Sequence, residues 1–308
     1  MTIALTSGMR SNLIALQNVD SMMQTTQNRL STGKRVNSAL DDPVNFFKAQ
    51  DNYNRASDLA AKKDGMGEAI KIIETANSGI EKMEDLLNQM KSLASAAKTS
   101  DNVEDLENQY NTVLEQVSTL AQDSNYGGQN LTYRESGNNE SGETATQIAT
   151  NELSVEFNEY AASNSAGSSL DVQGFSVNRD SSSGDLTIKS SSDSTSFAVT
   201  IADVDASDDS TRLTSAANVD RAIESIDNFI GQLRTEAQKL SSSLSTIQIR
   251  SDFTSEMVNT LNTGADNLTL ADMNEEGANM LMLQTRQNLG TTSLSLASQA
   301  AQAVLQLF

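Results

Sequence analysis

Two adjacent carboxylates, Asp41 and Asp42, are the first feature of this 308-residue chain that could perform chemistry. A carboxylate pair is suited to metal binding or to general acid–base catalysis. The next residue, however, is Pro43, and an acidic side chain directly before a proline is typical of a helix start, where the carboxylate caps the first turn. We therefore predict that this pair caps a helix and forms a salt link with Lys34 or Arg35.

A second group of acidic residues, further along the chain, has the content of a calcium-binding loop. It lacks the glycine and the terminal glutamate that such loops use to turn and to close the ion's coordination shell. We therefore expect a solvated loop, whose acidic members are Asp203, Asp205, Asp208 and Asp209.

The composition excludes most other chemistry. The chain has no His and no Cys, so it has no imidazole for acid–base catalysis, no thiol nucleophile and no disulfide. Its net charge of −20 disfavours nucleic acid and anionic membranes as partners. Apolar residues form stripes rather than continuous runs, so we expect no membrane span, and the segment 1–8 lacks the features of a cleaved secretory signal. We predict a protein that is not an enzyme and needs no cofactor or metal.

Both ends of the chain carry helical apolar stripes. Steps of three and four residues place side chains on one face of a helix, and a terminal helix with such a face must bury it against something. The first stripe is interrupted by Asp20 and Gln27, and the second continues to the last residue. The apolar members of the two stripes include Met9, Leu13, Leu16, Met23 and Leu30 at one end and Leu283, Leu294, Ala297, Ala301, Val304 and Phe308 at the other.

Three more helical stretches lie between the termini. One begins at Pro43 and is predicted to run to about residue 97, the second starts near Ser100 and Asp101 and ends before Gly127, and the third covers about 219–261. Gly33 is predicted to end the first helix of the chain. Stripes of this length favour coiled-coil packing over a compact globule, so the predicted fold is mainly α, with long coiled-coil-like helices from both termini packed as a rod.

The segment 131–215 differs from the rest because it is acidic and rich in serine. Short alternating runs at 170–172, 175–177, 186–188 and 197–201 predict strands exposed on one face. We expect a small β-containing insert, and disorder is the alternative.

The residues Gln27–Pro43, QNRLSTGKRVNSALDDP, closely resemble the N-terminal signature of bacterial flagellins, and 265–308 is similar to the C-terminal region of that family. The resemblance implies a filament subunit for swimming motility. It implies inner-core segments at 1–42 and 265–308, rod segments at 43–130 and 216–264, and a surface insert at 131–215.

The resemblance also implies partners and a location. These are other copies of the chain, the filament cap and hook-junction proteins, the flagellar type III export apparatus, and a cytosolic export chaperone on the C-terminal helix. The subunit would be exported unfolded, without a cleaved signal peptide, and would fold on assembly in the extracellular filament.

Specific residues acquire expected roles from this resemblance. The two terminal stripes become the self-assembly interface, and the connector after the first helix makes subunit contacts through Arg29, Lys34, Arg35, Asp41 and Asp42. The segment that an animal Toll-like receptor recognises in many flagellins is degenerate here, because glutamines stand where the family has an arginine and often a glutamate. Its positions are Gln89, Leu93 and Gln109.

Two other functions remain open from the sequence. A hook–filament junction protein shares the terminal helices, and a cytoplasmic coiled-coil adaptor shares the long stripes. An enzyme is the least favoured reading, since no His, Cys or nucleophile motif supplies a polar cluster.

Overall fold

The computed structural model describes residues 7–133, 151–160, 167–179, 184–190, 199–204 and 211–306. Five helices dominate these residues, which confirms the mainly α prediction. They are α1 (Ser7–Thr32), α2 (Pro43–Ala97), α3 (Val103–Asp123), α4 (Ala216–Thr269) and α5 (Met273–Gln306).

The chain divides into two compact units. The terminal unit consists of Met1–Ser57 and Val258–Phe308, and the central unit consists of Asp58–Met257. Helices α2 and α4 each contribute residues to both units.

In the terminal unit, α1 packs antiparallel to α5. Asn12 lies opposite Ser293, with 3.4 Å between the side-chain nitrogen and the hydroxyl oxygen, and Arg29 lies 2.9 Å from Glu276. Gly290 faces Leu16, whose Cδ1 would be 3.1 Å from a Cβ at that glycine, so the two helices approach closely at this point. The terminal helices therefore bury one face of each against the other.

The connector from α1 to α2 has the caps that the sequence predicts. Gly33 ends α1 with a φ of +70°, and its N–H donates to the Arg29 carbonyl at 2.8 Å. Asp42 caps α2, because its Oδ1 accepts from the Asn45 N–H at 3.1 Å. The predicted span of α2, from Pro43 to about residue 97, is confirmed.

In the central unit, the predicted α2 stripe forms the core. All ten of its residues are buried because α3 and α4 pack along it: Met66, Ala69, Ile73, Ala76, Ile80, Met83, Leu87, Met90, Ala94 and Ala97. From α3 and α4 the core receives large side chains with no exposed surface, such as Tyr110, Leu114, Phe229 and Leu233.

The start signal at Ser100 and Asp101 lies directly before α3, but neither residue occupies the capping position. The helix begins at Val103, and the capping position is Asn102, whose side chain makes no capping hydrogen bond. The Asn102 side chain donates instead to the Asp105 carboxylate, and its N–H donates to the Ser100 hydroxyl. Local side-chain pairing therefore replaces the expected cap.

A short hairpin follows α3. Strands β1 (Asn125–Tyr126) and β2 (Gln129–Asn130) are joined by Gly127 and Gly128, whose φ values of +60° and +86° suit a tight turn. The two glycines thus form the hairpin turn, while α3 itself ends four residues earlier, at Asp123.

The insert contains strands, as predicted, and they pair antiparallel. Strand β3 (Glu152–Glu156) pairs with β4 (Ser169–Gln173), and β5 (Phe175–Arg179), β6 (Leu186–Ser190) and β7 (Val199–Ile201) form a second sheet in that order. The predicted run 197–201 falls partly outside the described residues. Strand β3 was not predicted, although its Leu153–Ser154–Val155 alternation carries the signal.

Candidate assembly surface

The predicted α1 stripe lies against α5 of the same chain. Met9 is buried, and Leu16, Met23 and Leu30 are half-buried, whereas Leu13 is 39% exposed. The buried face is completed by Asn12, Val19 and Thr26 rather than by the predicted Leu13, Asp20 and Gln27. The observed spacing of this face is therefore a regular alternation of three and four residues from position 9 to position 30.

The predicted α5 stripe lies on the complementary face. Leu283 is buried, and Leu294 and Ala297 are half-buried beside α1. The side chains of Ala301 and Val304, and the whole of Phe308, lie outside the described residues. Within the subunit, the described part of this stripe thus holds α1 and α5 together.

A second apolar column on α5 points away from α1, and sequence reasoning missed it. Leu281, Leu289 and Leu296 are 68%, 66% and 62% exposed, and Met282 beside them is 44% exposed. Spacings of eight and seven residues place the three leucines on one side of the helix. The helix is therefore apolar on two faces, and within the described residues one of them packs against α1 while the other is exposed.

Exposed apolar side chains are concentrated in the terminal unit. Of the sixteen large apolar side chains exposed in the described parts of the chain, twelve belong to this unit. Soluble monomers rarely expose a large contiguous apolar surface, so this concentration makes the terminal unit the candidate interaction site. Besides the α5 column and Met282, the exposed apolar residues of the terminal unit are Leu13, Ile14, Met22, Leu40, Val44, Phe47, Leu270 and Met273.

The connector residues have partners within the chain. Arg29 pairs with the nearly buried Glu276, and Arg35 donates to the Leu268 carbonyl at 3.2 Å. Lys34 forms an isolated antiparallel bridge with Leu270. These contacts tie the end of α1 and the connector to the end of α4, the start of α5 and the short segment between them.

The carboxylates of Asp41 and Asp42 serve as local hydrogen-bond acceptors rather than as the predicted salt links. The backbone N–H groups of Asn37 and Ser38 donate to Asp41 at 3.1 and 3.0 Å and lower the pKa of that carboxyl. The Asn45 N–H likewise lowers the pKa of Asp42, and Arg35 adds a smaller electrostatic effect. Both groups are held ionised to shape the turn before α2.

Of the acidic run that is predicted to form a solvated loop, only Asp203 lies within the described residues. Asp203 pairs with Arg179 at 3.1 Å, and Asp205, Asp208 and Asp209 lie outside the described residues. Across the parts of the chain that the structure describes, no three His, Cys, Asp or Glu side chains are grouped to hold a metal ion. No described helix is both long enough and apolar enough to cross a membrane.

The residues of the degenerate receptor segment lie on the central unit. Gln89 on α2 and Gln109 on α3 are exposed, and Leu93 is half-buried against the core. Both glutamines are therefore accessible to a partner, but neither carries a charge.

Paired terminal helices with an unpartnered apolar face, joined to a long coiled coil with a small β insert, define a class of self-associating structural subunits. Comparison with protein-family models identifies the family. The model of the bacterial flagellin N-terminal helical region matches residues 3–136, and that of the bacterial flagellin C-terminal helical region matches residues 216–308. Together they cover more than half of the chain, so it belongs to the bacterial flagellin family.

Individual relatives match over almost the whole chain. A flagellin of Brucella melitensis is 26% identical over 304 residues, covering 97% of this chain and 96% of its own length. Flagellin FljK of Caulobacter vibrioides is also 26% identical and covers 96% of this chain and 95% of its own. A crystal structure of Bacillus cereus flagellin aligns with 62% of this chain and 88% of its own at 13% identity, with a TM-score of 0.42.

Family membership establishes the general function. The chain is a structural subunit of the bacterial flagellar filament, and the hook-junction alternative has no better support. The family is one of structural proteins rather than enzymes.

Proposed function

We propose that the subunit polymerises through the outward faces of its paired terminal helices, α1 and α5. The observation that carries this proposal is the exposed column of Leu281, Leu289 and Leu296, which no element of the same chain covers in the described residues. The predicted stripes pack α1 against α5 within the subunit before it assembles. This packing leaves the column of three leucines, which we call the outer column, facing outward. Beyond residue 300, Ala301, Val304 and Phe308 remain proposed interface residues.

The exposed α5 column makes a substantial favourable contribution to assembly. Full burial of a leucine side chain contributes roughly 1.5–3 kcal/mol. Since each of the three leucines is already about one-third covered, burying the remainder contributes about 1–2 kcal/mol each, or about 3–6 kcal/mol per subunit for this column. A filament repeats that contribution at every subunit.

We further infer that the terminal helices gain much of their order on assembly. Isolated helices are marginal in water, and in the described residues α1 and α5 pack chiefly against each other. Deleting about the last ten residues should leave a soluble monomer that does not polymerise. Normal filaments from that truncated chain would contradict the proposal.

The experiment that tests the surface uses two matched variants. The triple variant Leu281→Ser, Leu289→Ser and Leu296→Ser removes the outer column, and Ile249→Ser with Phe253→Ser removes exposed apolar side chains of the central unit. Seeded polymerisation, followed by sedimentation and electron microscopy, should fail for the first and proceed for the second. Equal polymerisation of both variants would refute the assignment of this surface.

The following roles come from the family resemblance and are part of the same proposal. The subunit is exported unfolded through the flagellar type III apparatus, with its C-terminal helix held by a cytosolic chaperone until export. It is added beneath the filament cap beyond the hook-junction proteins. It resides outside the cell without removal of a signal peptide, and it has no catalytic role or cofactor. Mass spectrometry of sheared filaments should give the mass of the uncleaved chain.

The proposed domain roles use the segment boundaries that the family resemblance implies. Segments 1–42 and 265–308 form the inner core around a channel, 43–130 and 216–264 form the next layer, and the insert 131–215 projects outward. Copy number in sheared filaments distinguishes this role from that of a hook–filament junction protein, which would be present in few copies. A stable rod-like dimer of the purified chain, with no filament growth, would instead indicate the adaptor function.

A further inference from the structure

Helices α2 and α4 face each other in a constant antiparallel register throughout the central unit. The polar contacts between the two helices include five pairs whose positions within each helix are seven residues apart, with one interval of fourteen. The pairs are Lys98–Asp220, Lys91–Asp227, Glu84–Arg234, Asn77–Ser241 and Lys63–Ser255. We call these pairs the register ladder.

The charged pairs of the register ladder have good geometry. The Lys91 ammonium lies 2.6 and 2.7 Å from the two carboxylate oxygens of Asp227. The Arg234 guanidinium donates from Nε and Nη2 to Glu84 at 3.2–3.3 Å. The Glu84–Arg234 pair has the opposite polarity to its two lysine–aspartate neighbours, because here α2 supplies the acid and α4 the base.

The periodicity of the two apolar stripes does not select this register by itself. The stripes on α2 and α4 both repeat every seven residues, so sliding one helix by a heptad would again place apolar side chains on apolar side chains. A heptad slide is about 10 Å along the helix axis. The repeat of the two stripes therefore does not disfavour this slide, and other contacts must do so.

The reversed polarity of one pair supplies that discrimination. A slide in one direction would bring Lys91 opposite Arg234, and a slide in the other would bring Glu84 opposite Asp227. Each slide thus creates one like-charge pair and keeps only one attractive pair, whereas the native register has three attractive pairs. If all three pairs had the same polarity, either slide would keep two attractive pairs and create no repulsion.

We propose that the reversed Glu84–Arg234 pair is a register-selecting device that guides α2 and α4 into their native alignment as the chain folds. Interhelical charges beside a coiled-coil core are known to set partner orientation, and specificity of this kind comes from penalties on the alternatives. An exposed pair changes an equilibrium about twofold. Removing the reversal changes the balance by two pair interactions, so slipped alignments become about fourfold more populated.

The test uses three charge variants of the full-length chain. Swapping Glu84→Arg with Arg234→Glu keeps all three native pairs attractive but removes the repulsion from both slides. Neutralising Glu84→Gln with Arg234→Gln also removes the repulsion and keeps the apolar packing. The matched control swaps Lys91→Asp with Asp227→Lys, which leaves one like-charge pair in each slide and the same net charge.

Disulfide reporters measure the register, because the chain has no Cys of its own. Asn77→Cys with Ser241→Cys reports the native alignment. Ile70→Cys with Ser241→Cys reports one slide, and Asn77→Cys with Gln248→Cys reports the other. Each reporter is placed in each charge background, refolded from urea in a glutathione redox buffer, and quantified by non-reducing peptide mapping.

Slipped cross-links should rise about fourfold in the Glu84→Arg/Arg234→Glu background and in the neutralised background, while the Lys91→Asp/Asp227→Lys control stays at the wild-type level. The difference should vanish in 1 M salt, because exposed charges are then screened. If the swapped variant fails to recover its helical circular dichroism, the neutralised variant alone decides. No rise in the decisive background, or an equal rise in the control, would overturn the proposal.

Discussion

Gly79, in the middle of α2, gives a sharp test of the core packing. In an open helical position, replacing glycine by alanine stabilises a helix by about 1 kcal/mol. At Gly79, however, a Cβ would lie 2.2 Å from the Ser124 hydroxyl oxygen and 2.8 Å from the Ser124 Cβ. The Ser124 hydroxyl is already engaged with the Leu120 carbonyl at 2.7 Å, at the end of α3.

The expected result of Gly79→Ala is therefore a loss of stability. Overpacking costs about 1–3 kcal/mol, and displacing Ser124 from its hydrogen bond costs about another 1 kcal/mol. After the gain in helix propensity, the free energy of unfolding should fall by about 1–3 kcal/mol. Urea unfolding of the full-length monomer, followed by circular dichroism, measures this change.

Two further variants complete the test. Gly67→Ala, in the same helix, has no atom within 4 Å of the new Cβ and should stabilise by about 1 kcal/mol. Adding Ser124→Gly to Gly79→Ala should restore most of the loss, since it removes both clashing atoms. The reasoning is refuted if Gly79→Ala stabilises the chain as much as Gly67→Ala does.

Three other predictions address the hairpin, the helix cap and the receptor segment. Asn130 donates to the Ala121 and Gln122 carbonyls and accepts from Thr132 and Tyr133, so Asn130→Ala should lower the free energy of unfolding by about 1–3 kcal/mol in urea titrations; an unchanged midpoint would contradict this. The folded-state pKa of Asp42 lies below its ordinary value of 3.8, so its capping contribution is present above that pH and is lost as the pH falls through the lowered pKa. The difference in Tm between the wild-type chain and Asp42→Ala should therefore shrink below pH 3.8, and a constant difference would contradict the assignment. The filament subunit should activate the animal Toll-like flagellin receptor poorly, and Gln89→Arg should increase reporter-cell activation because it restores a charged, multi-donor side chain; strong activation by the wild-type chain would refute this.

Much of the central unit is predictable because its signals are local or periodic. The α2 stripe from Met66 to Ala97 repeats without interruption, and every member is buried in the structure. Asp42 and Pro43 mark the start of α2 through chemistry that involves neighbouring residues only. Caps and stripes of this kind do not depend on what packs against them.

The terminal unit was harder to predict because its helices have more than one apolar face. On α1, the predicted face and the observed face are shifted by one residue, and only packing against the neighbouring helix selects between them. The predicted face includes Leu13, Asp20 and Gln27, and the observed face includes Asn12, Val19 and Thr26 instead. On α5, the inner stripe is continuous to the chain end and draws attention away from Leu281, Leu289 and Leu296. Which face is covered within the chain depends on the tertiary partner, so the sequence pattern alone did not reveal the outer column.

The most direct test of the assembly surface is thiol labelling at position 289, since the chain has no Cys to interfere. Leu289→Cys, and Tyr160→Cys in the insert as a control, would be treated with a maleimide reagent as monomer and as filament. Leu289 is 66% exposed and Tyr160 is 48% exposed in the subunit, so both cysteines should react in the monomer. In the filament, the cysteine at position 289 should be protected while that at position 160 still reacts; equal labelling of position 289 in monomer and filament would contradict the account.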